Sequence, residues 1–272
     1  MNVVQAVVLG IVEGLTEFLP VSSTGHLLVT ERLLGLKVGS DALTGFTAVV
    51  QVGAILAAVV YFFRDILQLA GAFFRGLGSS RGRRDPEFRF ALAVVLGSIP
   101  IAIVGFLLKN VVKDLQVLLV VGIGLIAFSP VMLYAERRAA QNRSERSLTL
   151  KDAAIIGGAQ CIALIPGVSR SGATISTGLL RGLDRVSATR LSFLLGIPAL
   201  VGAGAYELKD ATKGDASTAA IALATVVAFV VAYASIAFLL KFVSTHRISA
   251  FVPYRVGLGA IIVVAVVIAR LT

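Results

Sequence analysis

Long apolar segments separated by short polar loops make up most of the chain. Six of these segments have about the length needed to cross a ~30 Å hydrocarbon core, which takes roughly 20 helical residues. They lie at 42–63, 90–108, 115–134, 189–206, 219–240 and 251–269. The pattern therefore predicts six transmembrane helices.

Two further apolar stretches, 1–30 and 153–180, are interrupted near their middle by proline and a cluster of small polar residues. Proline lacks a backbone N–H and has a fixed φ, so a continuous helix through Pro20 or Pro166 is disfavoured. We therefore predict two broken re-entrant helix hairpins, each of which enters and leaves the membrane on the same side.

An internal repeat supports this division of the chain. A shift of 147 positions places residues 21–25 on residues 168–172 and Glu13 on Gln160. Each half then contains one broken hairpin followed by three spans. The first half, the basic linker and the second half are about 1–134, 135–151 and 152–272. Because a unit with three crossings is inserted upside down when it is repeated, we predict a single all-α membrane domain with inverted-topology repeats whose hairpins meet near the bilayer midplane.

The composition excludes an ordinary soluble domain. Hydrophobic residues make up 57% of the chain and charged residues only 15%, with a mean hydropathy of +0.92, whereas soluble domains are nearer 45–50% and 25%. Cys161 is the single cysteine, so an intrachain disulfide is impossible. The net charge of +10 lies mostly in short loops, which indicates membrane orientation rather than binding to nucleic acid.

The loop charges predict which side faces the cytoplasm. Four loops on one side hold 17 Lys and Arg residues; they are 64–89, 135–151, 181–190 and 241–255. The opposite side holds seven, in 31–40, 109–114, 206–216 and at Arg270. The positive-inside rule then makes the first side cytoplasmic and places both termini outside.

Two acidic residues in the first hairpin are candidates for chemistry. Glu13 and Glu17 are four residues apart and therefore share one face of a helix. A carboxylate inside a membrane is unfavourable unless it is paired, hydrated or bound to metal, so such residues mark functional sites by default. The alternative is that both lie at a wetted membrane edge and only solvate a helix end.

A polar cluster follows the break at Pro20. It consists of Ser22, Ser23, Thr24 and His26. Serine and threonine are good helix N-caps, which is the structural explanation for any one of them alone. A helix N-terminus also attracts anions such as phosphate, and histidine can move protons near neutral pH. Because two glutamates lie nearby, the cluster favours a catalytic role for His26 over a purely structural one.

Arg170 is the strongest single indication of function. A guanidinium in a broken membrane helix needs an anionic partner, and its planar fork suits phosphate oxygens. Hydroxyl groups surround it in sequence, on Ser169, Ser171 and Thr174. A pair with Glu13 or Glu17 is the structural alternative, and it is compatible with function if substrate or metal displaces it. Together these groups predict a site for a phosphorylated substrate.

The two glutamates could also hold a divalent cation such as Mg²⁺ or Ca²⁺, because these ions prefer oxygen ligands and often bridge carboxylates to substrate phosphates. Two carboxylates alone do not establish a metal site. The sequence contains neither a zinc-type His/Cys set nor a P-loop, so a nucleotide-binding fold is not predicted.

Two motifs are similar to those of the undecaprenyl-diphosphate phosphatase family of bacterial inner membranes, the type linked to bacitracin resistance. Residues 13–26, EGLTEFLPVSSTGH, resemble its acidic E-x-x-x-E motif with trailing Ser and His. Residues 166–174, PGVSRSGAT, resemble its P-G-x-S-R-S-x-x-T motif. Chain length, motif order and hydropathy outline match over essentially the whole chain.

The resemblance implies a multi-pass enzyme of the inner membrane that converts undecaprenyl diphosphate to undecaprenyl phosphate and inorganic phosphate. This product is the carrier lipid of peptidoglycan synthesis. The family also implies an inverted-repeat fold, a site open to the periplasm and dependence on a divalent cation. Polyprenyl diphosphate and the lipid bilayer are the expected partners. The sequence does not give the oligomeric state, although a homodimer is compatible with it.

Residue roles can be carried over from the two motifs. Glu13 and Glu17 would bind metal or act as a base, and Ser23 and His26 would be catalytic. Arg170 would act in catalysis and bind the diphosphate. The remaining substrate-binding residues would be Ser22, Thr24, Gly167, Ser169, Ser171 and Thr174.

Two questions stay open at the level of sequence. The first is whether Ser23 attacks phosphorus to form a phosphoserine, which we favour, or whether Glu17 or a metal activates water. The second is whether the protein is instead a transporter or flippase for a phosphorylated lipid, since broken helices in inverted repeats are also a transporter architecture.

Overall fold

A computed structural model describes residues 1–207 and 217–271, and in these ranges the protein is helical, without a β-sheet. The twelve α-helices of the described ranges are α1 (Val3–Thr16), α2 (Ser23–Leu33), α3 (Asp41–Tyr61), α4 (Phe63–Gly78), α5 (Pro86–Leu107), α6 (Lys109–Asp114), α7 (Leu118–Arg138), α8 (Leu150–Gln160), α9 (Arg170–Leu180), α10 (Arg185–Glu207), α11 (Thr218–Thr245) and α12 (Val252–Leu271). The predicted all-α class is therefore confirmed.

Five of the six predicted spans coincide with helices that are long and apolar enough to cross a membrane, namely α3, α5, α7, α11 and α12. The sixth predicted span, 189–206, lies within α10, which is 23 residues long. Most of the predicted loop 206–216, from 208 onwards, falls outside the described residues. The chain is thus a multi-pass membrane protein.

The prediction of a continuous loop at 64–89 was wrong, because α4 occupies most of it. Its exposed apolar side chains, Phe63, Leu67, Phe74 and Leu77, recur at the spacing of one helix face, while Leu69 faces the protein. The helix has only 16 residues, with arginine and aspartate among them, so a search for long apolar segments overlooks it. Such an amphipathic helix suits the membrane interface.

Both predicted breaks are present. The first separates α1 from α2, and the second separates α8 from α9. Each second helix begins with a serine N-cap in the left-handed region, Ser22 with φ 74° and Ser169 with φ 76°. The Oγ atoms accept hydrogen bonds from Gly25 N at 3.4 Å and Gly172 N at 3.2 Å, respectively. The two breaks therefore share one local geometry.

Small residues allow the first hairpin to pack closely against α11. The Cα atoms of Gly10 and Gly14 face the backbone of Ala224 and Ala228, and a Cβ at either glycine would lie 2.5–2.6 Å from those carbonyl oxygens. Membrane helices associate mainly through such close packing, since lipid provides little hydrophobic driving force. This contact fixes the depth and rotation of α1, and hence of the glutamates that it carries.

Asp152, near the start of α8, joins the two helices of the second hairpin at the end away from the break. The carboxylate is fully buried and accepts hydrogen bonds from Arg181 Nε at 2.7 Å and Arg143 Nη2 at 2.8 Å. Thr149 donates two more. Burial alone would raise the pKa of Asp152, but these donors outweigh it and hold the pKa below its usual value. The start of α8 is thereby joined to the end of α9.

We expect Asp152→Asn to lower the free energy of unfolding by roughly 3 kcal/mol, because two arginines lose a buried carboxylate. The melting temperature in detergent would fall, whereas Asp114→Asn, at an exposed position, would leave it unchanged. Since the folded pKa is depressed, the stabilisation is present above the ordinary pKa of about 4 and is lost as pH falls further. An equal melting temperature for wild type and Asp152→Asn at pH 7 would contradict this role.

Candidate active site

A serine, a carboxylate and a guanidinium from the two breaks are in direct contact. Ser23 Oγ donates a hydrogen bond to Glu17 Oε2 at 2.6 Å. Arg170 Nη2 donates to the other oxygen, Glu17 Oε1, at 3.3 Å. The Glu17 and Arg170 side chains are only 5% and 11% exposed. Residues separated by about 150 positions in sequence therefore form one buried cluster.

Helix α10 completes the surroundings of Arg170. Arg170 Nη1 donates to the Ser192 carbonyl oxygen at 3.0 Å, and Thr174 Oγ1 donates to Ser192 Oγ at 2.6 Å. Next to these residues, the rings of Phe18 and Phe193 pack edge to face with centroids 5.2 Å apart. This buried aromatic pair fixes the neighbouring Glu17 and Ser192, which both bind the guanidinium.

The predicted serines mainly join the two breaks to each other. Ser22 Oγ accepts from Gly167 N at 3.2 Å, and Ser171 Oγ donates to the Leu19 carbonyl at 3.0 Å. Ser169 Oγ and Ser171 Oγ are 3.1 Å apart. All three hydroxyl groups are buried. The structure thus gives Ser22, Ser169 and Ser171 clear structural contacts.

His26 points towards α12. Its Nδ1 is 2.7 Å from the Ser22 carbonyl oxygen, and its Nε2 is 2.7 Å from the Tyr254 hydroxyl. A carbonyl can only accept, so Nδ1 carries a proton. In the neutral ring, Nε2 then accepts from the Tyr254 hydroxyl. Thr24 is half-buried in the first turn of α2. Neither nitrogen of His26 is bonded to Ser23.

Glu13 lies one helical turn before Glu17 and is 1% exposed. The described residues contain no group of three or more His, Cys, Asp or Glu side chains placed to hold a metal by themselves. Mg²⁺ is commonly held by one or two carboxylates together with substrate phosphates. Glu13 and Glu17 provide two carboxylates that are one helical turn apart.

The sequence analysis missed several residues of this cluster. Ser192 lies in an ordinary apolar span, as does Gly196, which packs against the Arg170 guanidinium. Only the packing of the helices reveals these two residues. Arg255 was counted as a cytoplasmic loop charge, which was wrong, because it is fully buried and hydrogen-bonded to both breaks. It also lies inside the predicted span 251–269. The argument applied to Arg170, that a membrane-embedded arginine marks a site, would have found it.

These features indicate a multi-pass membrane enzyme whose buried polar site suits a phosphorylated substrate. The sequence model of the family described as "Bacitracin resistance protein BacA" matches residues 6–261. The chain therefore belongs to the BacA family, and the resemblance seen in its two motifs is confirmed.

Relatives named undecaprenyl-diphosphatase align along nearly the full length of the chain. The protein of that name from Acidothermus cellulolyticus is 54% identical over 267 residues, covering 97% of both chains. "Undecaprenyl-diphosphatase 1" of Streptomyces coelicolor is 53% identical over 264 residues, covering 96% of this chain and 95% of its own. The Corynebacterium diphtheriae protein is 46% identical and covers 98% and 95%.

Proposed function

We propose that the cluster of Glu17, Ser23 and Arg170 is the site at which this chain hydrolyses undecaprenyl diphosphate to undecaprenyl phosphate and inorganic phosphate. The chain is an undecaprenyl-diphosphatase, as its family membership and close relatives indicate. The observation that carries the site assignment is the 2.6 Å hydrogen bond from Ser23 to Glu17, with Arg170 on the opposite carboxylate oxygen.

In the first step, Ser23 Oγ attacks the terminal phosphorus. The Oγ–P bond forms, the phosphoanhydride P–O bond breaks, and the hydroxyl proton passes to Glu17 Oε2. Undecaprenyl phosphate leaves as the monophosphate. Arg170 stabilises negative charge on the phosphoryl oxygens, which is usually the larger part of catalysis in phosphoryl transfer. In the second step, water attacks the phosphorus of the phosphoserine and the Oγ–P bond breaks. Ser23 Oγ takes the proton back from Glu17, so the carboxylate is restored and the inorganic phosphate leaves.

The contacts of His26 support Glu17 as the base. Both ring nitrogens of His26 are engaged, by the Ser22 carbonyl and the Tyr254 hydroxyl, whereas Glu17 is already bonded to the Ser23 hydroxyl. A general base must reach the proton that it removes. His26 then contributes by fixing the first turn of α2 against α12.

Glu13 and Glu17 would hold a divalent cation together with substrate phosphate oxygens, as the partial carboxylate set suggests. When bound, such an ion would neutralise part of the negative charge of the diphosphate. Arg170 remains bonded to the Ser192 carbonyl through Nη1, so its Nη2 can leave Glu17 and turn to a phosphate oxygen. Substrate entry thus exchanges one ionic partner of the guanidinium for another.

The finer topology is also part of the proposal: six spans and two re-entrant hairpins, in two inverted halves with a periplasmic site and both termini outside. The packing pairs support it, because α1 contacts α11 while α8 contacts α5, and α3 contacts α11 while α10 contacts α5. Exchanging the two halves turns the pair α1 and α11 into α8 and α5, and the pair α3 and α11 into α10 and α5. Only the first half keeps an acid at the repeated position, since Gln160 replaces Glu13 there and bonds to the Gly97 carbonyl at 2.8 Å.

Phosphate release from undecaprenyl diphosphate in detergent tests the activity. We expect the wild-type protein and Asp114→Asn to release phosphate, and Glu17→Gln to release at least about 10²-fold less because the base is lost. A wild-type protein that binds the lipid without releasing phosphate would overturn the enzyme assignment and favour transport.

The same assay with a chelator tests the cation. We expect EDTA to lower the wild-type rate at least tenfold and Mg²⁺ or Ca²⁺ to restore it, since the diphosphate charge is otherwise poorly neutralised. Equilibrium binding of Mn²⁺, followed by its paramagnetic signal with substrate present, should weaken in Glu13→Gln. The cation proposal would be contradicted if EDTA left the rate unchanged and Glu13→Gln left Mn²⁺ binding unchanged.

A further inference from the structure

Arg255 lies in the first turn of α12, and its guanidinium is completely buried at the junction of the two breaks. Its Nη1 donates to the Pro20 carbonyl at 2.9 Å. Its Nη2 donates to the Gly167 carbonyl at 2.9 Å and to the Val168 carbonyl at 3.1 Å. One planar group therefore joins the backbone of the first break to that of the second.

The carbonyls that Arg255 binds occupy equivalent positions in the repeat. The 147-residue shift that relates the halves places Pro20 on Gly167. The same shift places Ser23 on Arg170. The Pro20 carbonyl thus lies three residues before Ser23, and the Gly167 carbonyl lies three residues before Arg170. Both of these residues take part in the proposed reaction. The distance from Nη1 to the Pro20 oxygen equals the distance from Nη2 to the Gly167 oxygen, at 2.9 Å.

We propose that Arg255 is a positioning residue, which holds the two breaks in register so that Ser23 and Arg170 face the same phosphoryl group. This inference rests on the proposed phosphatase function. The guanidinium acts through backbone carbonyls and does not touch the reacting atoms. Its planar fork sets the separation of the carbonyls because both Nη atoms belong to one rigid group.

Other contacts also join the breaks, so the fold does not depend on Arg255 alone. Ser22 binds Gly167, and Ser171 binds Leu19. Loss of the fork would leave the breaks adjacent but less exactly aligned. A lysine ammonium is a point charge that reaches one carbonyl more readily than two on opposite sides. Arg255→Lys therefore keeps a buried positive charge at this position but removes the planar fork that bridges the two breaks.

The test compares kinetics and stability of Arg255→Lys and Arg255→Gln with the matched control Arg247→Lys, at an exposed arginine just before α12. Misalignment of reacting groups lowers the chemical step more than binding. We expect kcat of Arg255→Lys to fall by about 10- to 100-fold while KM changes less than about threefold. Its melting temperature should stay close to that of wild type, and Arg255→Gln should lose more kcat than Arg255→Lys.

Chemical rescue adds a readout that general packing would not give. In Arg255→Ala, added ethylguanidinium should raise kcat at least tenfold, and ethylammonium should raise it much less.

A wild-type kcat in Arg255→Lys would overturn the inference, as would an increase in KM with unchanged kcat. If neither Arg255→Lys nor Arg255→Gln folds, Arg255 serves the fold rather than alignment, and the inference is also wrong. An inactive wild-type protein would instead refute the proposed function.

Discussion

Phosphate release is expected to fall by at least about 10³-fold when Ser23 is replaced by alanine, because the nucleophile of the proposed first step is removed. Ser23 is already hydrogen-bonded to its base, Glu17, at 2.6 Å. Arg170 and the lipid-binding surfaces remain, so KM should change little. Ser244→Ala, at an exposed position, is the matched control and should keep the wild-type rate.

A covalent intermediate gives the second measurement for Ser23. Acid quenching of the reaction with substrate labelled in the terminal phosphate should leave label on wild-type protein, in the peptide that contains Ser23. Ser244→Ala should be labelled equally, and Ser23→Ala should carry none. Activity of Ser23→Ala close to the wild-type rate would contradict nucleophilic attack and favour direct attack by water.

Gly196→Ala is expected to lower kcat/KM by about 10²-fold although it removes no polar group, since displacing a catalytic group by about 1 Å can have that effect. A Cβ at position 196 would lie 2.5 Å from Cζ of Arg170 and 2.7 Å from its Nη2. The guanidinium must then move away from Glu17 and from the Ser192 carbonyl.

The matched control for Gly196→Ala is Gly202→Ala, on the same helix, where an added Cβ meets nothing within 4 Å. Alanine favours helix over glycine by about 1 kcal/mol, and the group in the way is the end of a flexible side chain. Neither variant should therefore lower the melting temperature markedly. Equal activity of the two alanine variants would show that Arg170 does not need this space.

Local features of the site could be predicted from the sequence because they depend on nearby residues. The prolines and serines located both breaks, and serine is a residue expected at a helix N-cap, the position that Ser22 and Ser169 occupy. Glu17, Ser23 and Arg170 were identifiable because charged and polar side chains are conspicuous in an apolar chain. The amphipathic helix α4 was missed because its periodicity, rather than its mean hydropathy, marks it.

The partners of these residues could not be predicted in the same way. Arg255 was assigned to a loop, although it binds the Pro20 and Gly167 carbonyls at equal distances. Gly196 carries no side chain, so its role exists only as space for Arg170. The placement of His26 against Tyr254 also depends on how α2 and α12 are rotated towards each other.

The sequence by itself determined that this protein is a helical, multi-pass membrane protein, where its hairpins break and which residues bring chemistry to them. Only the tertiary structure decided that Ser23 bonds to Glu17, that Arg170 lies on the other carboxylate oxygen and that Arg255 joins the two breaks. The reason is physical: backbone breaks and polarity are local properties. Contacts across about 150 residues depend instead on helix depth and rotation, which close packing of small residues fixes.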